Sequence, residues 1–167
     1  MFITSEAKKI QESELICAVK ILEIRADRPQ QVVLTRAKVQ PIECFKGQAK
    51  TPLEVVWPGG VDSEGHQTRV IGTPNLKVGE EVILFLWRKS AGYPFGIHSW
   101  TAGIIPIYWN KITQRYELKN RPPLPGSLKK ENKKEEGETF DDFRKRVKSA
   151  LAKEAKNEEG NSKHHKK

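Results

Sequence analysis

The sequence predicts a mainly β fold: one small antiparallel barrel, followed by a charged linker and a short basic amphipathic helix. Three observations carry this. Short apolar or alternating runs, each stopped by Gly, Pro, Asn or Asp, recur through the first 120 residues, which is the pattern of many short strands. After Asn120 the chain turns to Lys, Glu, Pro and Gly, a composition that buries no core. From Thr139 the apolar period becomes helical. At 167 residues the chain has room for one domain with an appendage, and a barrel of roughly 100–120 residues buries enough apolar surface to fold without staples.

Each element has its own signal. Over 15–24 apolar residues occupy both parities, with Leu15, Cys17, Val19 and Ile21 on one face and Ile16, Ala18, Leu22 and Ile24 on the other; the β-branched content favours strand over helix. Asp27-Arg28-Pro29 is a turn. Over 32–39 Val33, Thr35, Ala37 and Val39 alternate with Arg36, Lys38 and Gln40, a half-buried strand that ends at Pro41 or bulges there and continues to Phe45. A short strand over 53–57 stops at Pro58-Gly59-Gly60, where two glycines can take positive φ. A polar loop, a brief strand over 68–71 and a break at Gly72-Thr73-Pro74 follow. Six consecutive apolar residues over 82–87 imply a strand covered on both faces, with the C-terminal helix as the candidate cover. Runs over 95–98, 103–109 and 115–118 complete the strands, the last two joined by a hairpin at Asn110-Lys111. In the helix, Phe140, Phe143, Val147, Ala150 and Leu151 share a face, and Thr139 with Asp142 forms the pattern of a capping box. The expected organisation is an N-terminal extension over 1–12, the barrel over 13–120, a Pro-rich charged linker over 121–138, the helix over 139–156 and a disordered basic tail over 157–167.

Charge is spread rather than focused: 14 Lys/Arg stand against 9 Asp/Glu after Asn120, and 16 against 12 before it. A net charge of +9 favours weak association with anionic polymers and names no ligand. Cys17 and Cys44 lie in two separate predicted strands and read either as two small buried hydrophobes or as one disulfide. No run of apolar residues is long enough to span a membrane as a helix. The first residues also lack an apolar segment of signal-peptide length, which fits a cytosolic protein or a chain that begins after a removed leader.

No constellation reaches the standard of a catalytic, metal or cofactor site. His164 and His165 fall in the tail, leaving His66 and His98. The loop Asp62-Ser63-Glu64-Gly65-His66 holds carboxylates, a hydroxyl and an imidazole, which local polar composition also produces. It lacks the spacing of an EF-hand, and two isolated cysteines give no zinc pattern. Gly59-Gly60 lacks the Lys-Ser/Thr of a phosphate loop. His98 reads as a partly buried, hydrogen-bonded residue. Arg36 and Lys38 are the basic residues to watch for nucleic acid, although Trp57, Trp87, Trp100, Trp109 and Tyr108 are expected mostly in the core rather than stacked outward.

Phe45-Lys46-Gly47, Pro58-Gly59-Gly60, the run from Val70 to Pro74 and the run from Val78 to Leu86 together resemble a group of uncharacterised, mostly exported bacterial proteins that pair a β-domain with a short C-terminal helix. The strand ending in Phe45-Lys46-Gly47 and the strand over 82–86 also resemble the netrin-like barrel of tissue inhibitors of metalloproteinases, an OB-type fold. The resemblance implies an OB-like barrel and an extracytoplasmic location, in the periplasm or cell envelope, and carries no activity. Tissue inhibitors act through an N-terminal cysteine, whereas the first cysteine here is Cys17, within a strand. Ala102-Gly103-Ile104-Ile105-Pro106 also departs from the Gly-Lys-Phe-like strand start expected of the bacterial group. The expected function is therefore a non-enzymatic binding or envelope-associated domain that contacts a protein or glycan through the loops over 59–72 and 92–100. Its candidate residues are Gly59, Gly60, Asp62, Glu64, His66, His98 and Trp100, with Arg36 and Lys38. Nucleic-acid binding and protease inhibition are the alternatives.

Overall fold

The structure is a computed structural model and describes residues 4–119 and 137–162. Residues 121–136 of the linker expected over 121–138, and residues 163–167 of the tail expected over 157–167, lie outside the described residues. The elements run α1 (Glu6–Glu12), β1 (Leu15–Asp27), β2 (Leu34–Lys46), β3 (Leu53–Pro58), β4 (Gly60–Val61), β5 (Gln67–Thr68), β6 (Glu81–Trp87), β7 (Gly96–Ile97), β8 (Ile104–Asn110), β9 (Arg115–Leu118), β10 (Glu138–Thr139) and α2 (Phe140–Ser162). The main sheet is antiparallel, in the order β10-β9-β8-β6-β1-β2-β3 with β7 beside β6; β4 and β5 form a separate hairpin. It is not a closed barrel. One parallel bridge, Val55 to Phe95, links β3 to the segment leading into β7. There the Val56 amide donates to Phe95 O at 2.8 Å and the Phe95 amide to Glu54 O at 2.9 Å.

β1 and β6 divide the interior in two, because side chains alternate between the faces of a strand. Cys17, Val19, Ile21, Leu84 and Leu86 face Ala37, Val39, Val55, Trp57, Phe95 and Ile97. Ile16, Ala18, Ile83 and Phe85 face the opposite way, onto Ile10 of α1, Ile105, Ile107 and Leu118, and Phe143 and Val147 of α2. The doubly apolar strands thus have a cover on each face, and α2 supplies much of one. Trp87 departs from the expectation: the run is buried from Val82 to Leu86, but the indole at its end is exposed.

Two other readings are corrected, and the expected bulge at Pro41 is found. The β1–β2 register slips between Ile21 and Glu23, which moves Ile24 to the Cys17 face and leaves Leu22 exposed. Further slips fall between Ile16 and Cys17 and between Ala18 and Val19, so β2 passes Pro41 with a bulge and continues to Lys46. The strand expected over 68–71 shrinks to Gln67–Thr68, because Gly72 takes a positive φ and the chain turns.

The extension contains α1. Ser5 caps it, its hydroxyl accepting from the Lys8 amide at 3.2 Å, and Ile10 is fully buried beneath the sheet. Lys46 closes its other end, donating to Ile10 O at 2.7 Å and Gln11 O at 2.8 Å. At the start of α2 the Asp142 amide donates to Thr139 Oγ1 at 3.2 Å and the Thr139 amide to Asp142 Oδ2 at 3.3 Å, the expected capping box. Phe45 meets Phe140 and Phe143 edge to face, at centroid distances of 5.2 and 4.9 Å. α2 runs to Ser162, past the end expected at 156.

Candidate functional site

The chain turns sharply after β3 because Gly59 and Gly60 take φ of +101° and +123°. Thr35 Oγ1 donates to Gly59 O at 2.6 Å, and a Cβ on Gly60 would collide with that hydroxyl. β4 and β5 then carry Asp62, Glu64 and His66 on their connecting turn. Asp62 Oδ1 accepts from the amides of Glu64 (3.0 Å) and His66 (2.8 Å), while Oδ2 lies 2.9 Å from His66 Nδ1. Burial pushes the Asp62 carboxyl up, but the His66 amide and ring outweigh it and hold the group below its ordinary value. Donor atoms of Asp62, Glu64 and His66 lie within 4.8 Å of one another, a spacing that could hold a cation. The Asp62 lone pairs are already shared among two amides and an imidazole, so the cluster serves first to close its own turn.

Between this hairpin, the far end of β1 and the chain over 67–76 lies a cleft of about 650 Å³. Trp57 and Thr35 line it, Arg25 and Arg69 bring positive charge, and Val61 and Ile71 also lie along it. Thr73 Oγ1 donates to Val70 O at 2.9 Å, which tightens the turn and leaves Ile71 outside it, 93% exposed. Trp100 lies against Gly72, and the Thr101 amide donates to Gly72 O at 3.3 Å. The loops expected to carry the contact surface, over 59–72 and 92–100, meet at Gly72 and Trp100.

His98 sits on a second surface. Its amide donates to Phe85 O at 2.8 Å; its Nδ1 lies 2.9 Å from Ser99 Oγ and its Nε2 2.6 Å from Glu12 Oε2. The His98 hydrogen bond holds the Glu12 carboxyl below its ordinary value. Ser99 and Trp100 both take left-handed backbone, φ +56° and +47°, and the His98 carbonyl rests where a side chain on Gly103 would stand.

Arg36 and Lys38 are elsewhere. Arg36 Nε binds both Asp27 oxygens at 3.1 and 3.2 Å, and its Nη1 binds Glu54 Oε1 at 3.1 Å. Two carboxylates therefore neutralise the residue expected to attract nucleic acid, and only Lys38 stays exposed on that stretch. The aromatic expectation is corrected too: Trp57 is buried, whereas Trp87, Trp100, Trp109 and Tyr108 are at the surface. Sequence reasoning did not single out Glu12, Arg69 or Ile71, and it placed Trp87 with the aromatics expected mostly in the core. Ile71 alone had a visible signal, an isoleucine beside a Gly-Thr-Pro break; the His98 partner of Glu12 lies 86 residues away.

A scan against protein-family models finds no match, and searches of the curated proteins and of the solved structures find none either.

Proposed function

We propose that this chain is a non-enzymatic binding domain of an exported, envelope-associated protein, and that its loop cleft takes up a segment of a protein partner. Ile71 carries the reading: an isoleucine 93% exposed is held out by a closed turn beside a cleft of about 650 Å³. Exposed apolar groups rimmed by polar ones mark contact surfaces, and loops on a rigid scaffold carry function more often than the scaffold does. An OB-like build is supported by the Val55–Phe95 bridge. It brings the β3 edge against the segment that leads into β7, without closing the sheet. Export is supported by the disulfide that joins Cys17 and Cys44, a bond that persists in oxidising compartments. Both points agree with the resemblance to exported bacterial proteins.

The test is capture from the source organism's envelope and cytosolic fractions with the wild type and Ile71→Asp, at low and moderate salt. One envelope protein retained at moderate salt and lost with Ile71→Asp supports the reading. Nucleic acid that washes off with salt, with no protein retained, replaces it with the alternative, and a protein retained equally by both variants removes Ile71 and the cleft from the reading.

A second reading rests on Glu12, His98 and Ser99. A carboxylate, an imidazole and a hydroxyl in one hydrogen-bonded row are the groups of nucleophilic catalysis. Turnover of an activated ester that disappears with Ser99→Ala would establish an enzyme and displace the binding reading.

A further inference from the structure

We propose that the recess beside Trp87 is a subsite for one gluco-configured pyranose of a β-1,4-linked glycan. The inference does not depend on the loop cleft, which Trp87 does not line. Trp87 ends β6 opposite Gly96 of β7. A Cβ on Gly96 would lie 3.0 Å from indole Nε1, 3.2 Å from Cε2 and 3.4 Å from Cζ2, so the ring lies against the glycine backbone where any side chain would lift it. The side chain nevertheless stays 48% exposed. Trp57 is in the core and Trp109 packs edge to face on Tyr116 at 5.0 Å, while Trp87 makes no ring or cation contact among the described residues. The strand pair thus presents an open aromatic platform.

Around it the polar groups suit a sugar. The recess encloses about 300 Å³, and its other walls are Glu12, His98 and Ser99. A pyranose whose hydroxyls are all equatorial turns axial C–H groups to an aromatic face and sends its hydroxyls outward in the ring plane. The recess offers such hydroxyls the carboxylate acceptors of Glu12 and the Ser99 hydroxyl, which both donates and accepts, while the two His98 ring nitrogens hold Glu12 and Ser99 in place. Glu12 is paired with His98 at 2.6 Å and with Lys8 Nζ at 3.6 Å, so the recess carries little uncompensated charge and favours a neutral ligand over an ionic one. A β-1,4 linkage keeps successive rings extended, letting one unit stack while its neighbours run past the rim.

The experiment is titration of the whole chain with cellotetraose and with N-acetylchitotetraose, followed by the indole N–H resonances and by tryptophan fluorescence. The expected result is a saturable shift at Trp87 with a dissociation constant of about 1 mM, weakened about tenfold or more in Trp87→Ala and largely retained in Trp87→Phe. Trp109→Ala keeps the affinity. Glu12→Gln, a surface change that removes no packing, weakens binding several-fold and keeps the inference testable should Trp87→Ala fold poorly. Absence of a saturable shift with both oligosaccharides at about 10 mM, or equal affinity in Trp87→Ala and wild type, overturns the subsite. Either result leaves the Ile71 test untouched, so failure here and failure of the cleft reading are separable.

Discussion

A carboxylate enclosed by donors stabilises a fold only while it stays ionised, and Glu117 in β9 is such a group, 3% exposed. Tyr108 Oη donates to it at 2.7 Å, Asn110 Nδ2 at 3.1 Å and Thr113 Oγ1 at 3.0 Å. The Tyr108 hydrogen bond is the largest influence, burial opposes it, and Asn110, Thr113 and Arg115 add to it; together they hold the carboxyl at about 2. The folded value is therefore below the ordinary 4.5 of the unfolded chain. The stabilisation is complete above that ordinary value and is lost as pH falls from about 4.5 through about 2. Urea midpoints measured against pH should fall across this window in the wild type and more shallowly in Glu117→Gln; parallel curves would show that other carboxylates dominate. Gly60 is a residue-scale constraint of a different kind, combining a φ of +123° with contact against Thr35 Oγ1. Gly60→Ala should cost about 1–3 kcal/mol in urea unfolding, whereas Gly65→Ala, where a Cβ meets open space, suffers only the backbone strain.

At the scale of elements, Phe45-Lys46-Gly47 ties the two helices to the sheet. Phe45 meets α2 through Phe140 and Phe143, Lys46 donates to the last carbonyls of α1, and Gly47 has Leu15 where a side chain would go. Burial lowers the Lys46 ammonium below its ordinary value, the consequence of bringing a cation to a helix end beneath the surface. Phe143 is fully buried, so Phe143→Ala should cost about 3–5 kcal/mol in denaturant unfolding, against less than about 0.5 kcal/mol for the exposed Lys148→Ala. A similar small effect for both would mean that α2 is not docked as described. α2 was legible in the sequence because its apolar spacing and capping box are local signals. α1 was not: seven residues are too short to be stable alone, and what holds it, Lys46 and the fit of Ile10 beneath the sheet, lies in tertiary structure. The same reason hid the Glu12–His98 pair.

For the whole molecule, strand identity was readable from alternation, but register was not, because three slips between β1 and β2 decide which residues stand opposite each other. Cys17 and Cys44 illustrate the point. Their sequence positions left both a disulfide and two separate thiols open; the slip at Leu22 in β1 and the slip at Ile42 in β2 offset each other, so that Cys17 stands opposite Cys44 and the two are joined. The bond closes a separation of 27 residues, which in the chain-entropy account corresponds to about 3.5 kcal/mol taken from the unfolded state. Cys17 is fully buried and Cys44 half-buried, so reductant reaches the native bond from the Cys44 side alone, and mild reductant should act faster once denaturant opens the β1–β2 pair. The Cys17→Ala/Cys44→Ala double variant should keep its fold and lose about 2–4 kcal/mol of stability in urea unfolding. A loss under about 1 kcal/mol would mean that the β1–β2 hairpin persists in the unfolded chain, so that closing the loop removes little freedom. A variant that never folds would place the pairing of β1 with β2 at the start of assembly, since β1 carries both halves of the core and every later strand builds outward from it.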